Sequence, residues 1–383
     1  MKSAIGTFVS SKEPFRLCFL IGLGIAAAGL FPWPLVQLGW IRGWPGPLHA
    51  MAMTQGFLLA FAVGFLGTML PRRTGAPPLS TPELVLLSVA LLSVPLCLGL
   101  GVERAAQLAY CLVLLTLGRY ALRSLRRTEQ KQPPLPSFIW IPAGLFQGFL
   151  GALLLFTLPP SSAPPWTYGL ARQLAQQGLI LSLVLGLAPM LAPMLWTGNA
   201  PPPPRHATAQ RAQQAGGAVA LVASFVLEQS GSISAGLLLR GILCAALLWR
   251  VTLPWQPRRR AGLHRVLFRV ALWLIPVGFL CAAATPLHRV ACLHITFVAG
   301  LMALTFATSV HVTLLHSGHE AEAERSSPAV ATTVLLLYLA AALRVGADWL
   351  GIYFLDGLTA AAGLALLGLL LWAVFLLLKL RRP

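Results

Sequence analysis

The chain is patterned as long uninterrupted apolar runs separated by short polar connections, with no alternation of polar and apolar residues of the kind barrel strands carry. A bilayer-crossing helix needs about 20 apolar residues, and only helices or closed barrels satisfy every backbone polar group in lipid. The pattern therefore predicts an all-α polytopic membrane bundle of about twelve transmembrane helices. The runs fall near 15–38, 48–70, 83–101, 104–122, 137–158, 169–195, 214–231, 233–250, 266–286, 289–312, 329–348 and 351–378. The seventh and eighth are separated only by LEQSGSIS. No soluble segment of domain size and no clear sequence repeat interrupts the series, so residues 1–383 read as a single transmembrane domain. In STPEL, Thr81, Pro82 and Glu83 read as a helix cap and first turn.

Composition agrees: 57% of the 383 residues are hydrophobic and 10% charged. The formal net charge of +18 would suit a nucleic-acid binder, but its distribution argues against one. Basic residues gather in every second connection: Lys2 to Arg16, Arg72 and Arg73, Arg119 to Lys131, Arg205 and Arg211, Arg250 to Arg269, Arg325, and Lys379 to Arg382. The alternate connections hold only Arg42, Arg104, Arg172, Arg289 and Arg344. This is the positive-inside asymmetry of a cytoplasmic membrane protein, with both termini cytoplasmic and an even number of spans. Pro- and Arg-rich loops near 123–137, 198–213 and 251–265 fall on the cytoplasmic side, the second carrying Pro201–Pro204. The expected partners are membrane lipid, not nucleic acid. The six cysteines lie in or beside apolar runs without CxxC or CxxCH spacing and read as small buried hydrophobes.

Candidate chemistry rests on histidine, because an imidazole inside a span is costly unless it is used. Five of the eight histidines lie between His288 and His319, and His49 opens the second run. With the topology above they form two layers: His49, His288 and His294 toward the outer face, and His311, His316 and His319 toward the inner one. His49 and Met53 stand one turn apart, above a column of Gly56, Ala60, Gly64 and Gly67 that leaves room for a flat group or for a closely packed helix. Met51 points away from His49 in a regular helix, although the preceding Gly46-Pro47 permits an irregular turn. Imidazole and thioether suit haem iron and copper, which makes His49, Met53, His294 and His311 candidate haem-binding residues and His49, Met51, His294 and His316 candidate metal ligands. Glu320, Glu322 and Glu324 are placed to complete a hydrated metal site beside His316 and His319. His206 and His264 read as solvated; Arg344 and Asp348, four residues apart, read as an ion pair; Arg172, Glu228 and Asp356 read as structural salt-bridge residues. No Walker loop, nucleophile elbow or HExxH motif is present, so enzymatic chemistry, if any, depends on a bound cofactor.

Three segments resemble the NnrS family of twelve-span membrane proteins. EPFRLCFLIGLGIAAAG is similar to the family's opening PFR-x-x-F-L run. LHAMAMTQGFLLAFAVGFLGTMLPRRTG is similar to its HAHEM segment, and HITFVAGLMALTFATSVHVTLLHSGH to its late H-x-L-T-x-G…GHTGR segment. The resemblance implies non-covalent b-type haem, with copper as a further metal, and a role in the response to nitric oxide or another small diatomic ligand. It implies site roles for His49, His294 and His316. Met51 and Ala52 stand where the family has its second His and its Glu, while His311 and His319 stand near its late arginines. A secondary transporter of a small solute and a non-catalytic subunit of a larger respiratory or photosynthetic membrane complex remain the rival readings.

Overall fold

A computed structural model describes residues 13–126, 134–158, 164–198, 207–252, 260–325, 327–351 and 353–380. Pro201–Pro204, His206 and the tips of the other two basic loops lie outside these residues. Among the described residues every regular element is helical. Ten helices are long and apolar enough to cross a membrane. In chain order they are α1 (Phe15–Gln37), α2 (Gly46–Thr74), α3 (Thr81–Gly99), α4 (Glu103–Ser124), α5 (Pro136–Thr157), α6 (Pro165–Thr197), α9 (Leu263–Ala284), α10 (Pro286–His316), α11 (Pro328–Leu350) and α12 (Phe354–Leu380). Between α6 and α9 lie α7 (Ala207–Gln229) and α8 (Ile233–Thr252), the pair that brings the described helical rods to the expected number. α7 falls short of the ten in apolar character because it opens on ATAQRAQQ, and the described apolar run of α8, Ile233–Trp249, is shorter; each of the two carries an internal charge.

Those two charges neutralise one another. Arg240 of α8, fully buried, places its guanidinium 2.8 Å from the Glu228 carboxylate of α7. Its Nε donates to Ser224 Oγ at 3.2 Å, and its plane lies over Phe225 and Phe279 at 4.3 and 5.2 Å. Ion pairing, hydrogen bonding and aromatic faces together replace the water both groups give up. Glu228 is thus a structural ion-pair residue, as expected; Arg240, hidden in the run LLLRGILCAALLW, is the partner that apolar patterning passed over.

The chain forms two compact units. The first comprises residues 1–29, 46–186 and 202–218; the second comprises 30–45, 187–201 and 219–383. Within the first, the cap of α3 is one residue earlier than expected. Ser80 Oγ accepts from Glu83 N–H, while Ser80 N–H donates to Glu83 Oε2 at 2.8 Å, a reciprocal capping box. The same carboxylate receives both terminal nitrogens of Arg123 at 3.1 Å. The glycine column of α2 proves to be a helix contact: a Cβ on Gly56 would come within 2.5 Å of Ile25, one on Gly64 within 3.0 Å of the Phe15 backbone, and one on Gly67 within 2.8 Å of Leu79. The α1 segment, not a flat ligand, fills that side.

Three helices depart from α geometry in the same way. In α2, α6 and α10 a short α-helical opening leads into a π-helical stretch, respectively Ala52–Leu58, Leu174–Gly178 and Ile295–Met302, and then back to α-helix. Leu179 N–H accordingly reaches five residues back to Leu174 O, and Ala303 N–H to Val298 O. These are also the three most enclosed of the ten long helices: 83, 72 and 61% of their core residues are buried, against 50% or less in the others. Each is separated from the next by three helices, an internal regularity absent from the amino-acid pattern. Widened π turns in buried helices recur at functional sites, which places weight on the residues at their openings.

Candidate functional site

His49 and His294 occupy those openings. His49, in the first unit, sits three residues ahead of the α2 π stretch, and its Nδ1 lies 3.1 Å from Gly29 O. His294, in the second, immediately precedes the α10 π stretch, with Nδ1 2.7 Å from Val290 O. A carbonyl oxygen only accepts, so in both rings Nδ1 carries a proton, and in a neutral ring the lone pair then belongs to Nε2. That is the tautomer of a metal-binding histidine whose other nitrogen is held by the main chain. Met53 shares the His49 face, its sulfur lying 3.5 Å from where a Gly29 Cβ would stand. Met51 turns instead to α4, where Gln107 Nε2 lies 3.7 Å from its sulfur. His49 and Met51 therefore face different neighbours.

At the far end of α10, His311 is buried and meets a histidine that the sequence placed in solvent. His264 is only 2% exposed, and its Nε2 lies 3.2 Å from His311 Nδ1. The basic loop stops short of it: α9 begins at Leu263 after Gly262, whose positive φ of 127° turns the chain inward. A Cβ at Gly262 would come within 2.5 Å of Ala323 O. In this pair one imidazole donates and the other accepts, so a single shared proton leaves both rings neutral. The buried Arg265 guanidinium follows directly in sequence. Among the described residues no group of three or more His, Cys, Asp or Glu side chains is disposed to hold a metal ion. His316 closes α10 five residues beyond His311.

The comparison with known families bears on the same helices. The sequence model of the NnrS family, described as NnrS protein, matches residues 10–383, nearly the whole chain. The chain belongs to the NnrS family. None of the curated proteins matches it. In this NnrS chain the two histidine-bearing segments first singled out by sequence are two of the three π-containing helices.

The remaining charges of this NnrS protein are committed elsewhere. Asp348 accepts from His288 Nδ1 at 2.8 Å and also stands within electrostatic reach of Arg344, as its helical spacing predicts, while His288 stacks on Trp349 at 4.6 Å. Arg344 instead lies over the Phe354 ring at 5.8 Å. Asp356 accepts from Gln37 at 2.6 Å. Glu322, expected beside a metal, spans two cations or potential cations: His319 Nδ1 at 3.0 Å and Lys379 Nζ at 2.6 Å. The Lys379 hydrogen bond holds the Glu322 carboxyl below its ordinary pKa. A carboxylate lowered in the folded state contributes stability that is full above its unfolded pKa and is lost as pH falls through the lowered folded value. Glu322 is partly exposed, so the contribution is small. Acidification is expected to lower the melting temperature of the wild type slightly more than that of Glu322→Gln, as measured by thermal unfolding across that acid range.

Proposed function

We propose that this protein is a haem-binding, or haem- and copper-binding, component of the nitric oxide response, resident in the bacterial inner membrane with both termini cytoplasmic. The single observation that carries the reading is the main-chain contact shared by His49 and His294: two membrane-helix imidazoles, each held by a carbonyl through Nδ1, the arrangement in which a neutral ring has its lone pair on Nε2. That donor chemistry fits a haem iron or a copper ion. His49 and His294 are the residues that would each hold the iron or copper, with Met53 beside His49 as a soft alternative. Bound haem would supply an iron coordination position for a diatomic ligand and a one-electron couple. The protein's own contribution is orientation: the Gly29 and Val290 carbonyls hold the rings against rotation. His311 and His316 belong to the inner end of α10, where one hydrogen bond joins the His264 and His311 rings.

The test is haem and metal content of the purified full-length protein. Pyridine haemochrome and Soret absorbance are expected to show b-type haem in the wild type and its loss in His49→Ala and His294→Ala, with Glu322→Gln as a variant that retains it. A wild type without Soret band or extractable haem overturns the reading.

A further inference from the structure

The first unit contains a second polar feature, unrelated to histidine. Where the π stretches of α2 and α6 pack together, α4 and α5 also pack and contribute buried amide and hydroxyl groups, a polar seam. It starts at Gln55 of α2, whose amide exchanges two hydrogen bonds with Gln107 of α4, at 3.2 and 3.1 Å. One turn along α4, Tyr110 OH donates to Ala175 O inside the α6 π stretch at 2.7 Å. Gln173 immediately precedes that stretch and Gln176 lies within it, on either side of Ala175. Two residues on, Gln147 of α5 lies against Gly178, where a Cβ would come within 2.6 Å of Gln147 Oε1, while its Nε2 donates to Ser182 Oγ at 3.3 Å.

All six of these side chains, from Gln55 to Gln176, are more than nine-tenths buried. Yet Gln147 Oε1, Gln173 Oε1 and Gln176 Nε2 have no hydrogen-bond partner among the described residues. Buried polar atoms are nearly always satisfied, and leaving them bare in an apolar bundle is costly. The unmet demand is mixed: two acceptors and one donor. A metal ion would serve only the acceptors, and an anion only the donor. The six seam side chains are neutral amides and a phenol, so they carry no charge to balance either. Water both donates twice and accepts, and it meets this set.

We propose that the seam between α2, α4, α5 and α6 is a binding site for ordered water, bridging the Gln147, Gln173 and Gln176 amides alongside Tyr110. The proposal is independent of haem or metal. It is tested by hydroxyl-radical footprinting of the full-length protein in lipid nanodiscs, with radicals generated radiolytically from the bound water itself. Tyr110 and Met51 report on the seam; Trp372 and Met302, equally enclosed in the second unit, serve as references. After correction for intrinsic reactivity, Tyr110 and Met51 are expected to be labelled several times faster than Trp372 and Met302. In a folded Gln147→Leu/Gln176→Leu variant, Tyr110 labelling is expected to fall toward the Trp372 rate. Equal, slow labelling of reporters and references in the wild type overturns the proposal, whether or not the variant folds. Undiminished Tyr110 labelling in the folded variant overturns the assignment to these amides.

Discussion

Replacing Glu228 by alanine is expected to destabilise the protein by about 3–5 kcal/mol, the cost of stranding a buried charge after its partner is removed. The partner is Arg240, fully buried at 2.8 Å and enclosed by Phe225 and Phe279. Ser224 still hydrogen-bonds the guanidinium in the variant, but it supplies no charge. The double replacement Glu228→Leu/Arg240→Met removes both ions and leaves apolar groups of similar volume, so it is expected to be near neutral or to stabilise by about 1–4 kcal/mol. Thermal unfolding of the three proteins in the same detergent checks the ordering. A Glu228→Ala protein as stable as wild type would mean that the pair contributes nothing. A double variant as unstable as the single one would mean that the site depends on its polar groups for more than mutual neutralisation.

Gly151→Leu is expected to be comparably severe, for a steric reason. A Cβ on Gly151 of α5 would lie 2.5 Å from both Ala171 O and Ala175 N of α6. Both are backbone atoms, which cannot swing aside as a side-chain tip can, so the two helices must separate. Overpacking of this kind costs about 1–3 kcal/mol and sometimes more, and here it also strains the Tyr110–Ala175 hydrogen bond. Gly216 of α7 is the control: no atom lies within 4 Å of where its Cβ would stand, so Gly216→Ala is expected to be neutral or to gain roughly 1 kcal/mol from helix propensity. Denaturation midpoints of the two variants against wild type decide the matter.

Much of the architecture was legible because transfer into lipid is a property of composition over a helix length, and composition is local. Apolar runs located the ten long helices to within a few residues; of the seventh and eighth, α7 lacks the apolar window of the rest and α8 shows a shorter apolar run, Ile233–Trp249. What failed did so where a single residue depends on a distant one. His264 looked solvated because arginines precede it; a glycine turn at 262 and a histidine 47 residues later bury it. Asp348 was matched to Arg344 by helical spacing, and the two do interact; the fold adds His288, 60 residues away, as its hydrogen-bond partner. Arg240 was overlooked because one charge hardly alters a window of leucines. The glycine column of α2 left two readings open, and the side chains of α1 decided between them.

The sequence by itself determined the class of protein: helical, membrane-embedded, of the NnrS family, with histidines at the openings of its second and tenth apolar runs. These follow from hydropathy, residue type and motif, which need no third dimension. Only the tertiary structure decided which imidazole nitrogen carries the proton, because that is set by the Gly29 and Val290 carbonyls. Only it revealed the π turns shared by α2, α6 and α10 and the glutamine seam between four helices of the first unit. Hydrogen bonds reach about 3 Å and are directional; which groups come within that reach is decided by packing between helices, and apolar periodicity carries no record of it.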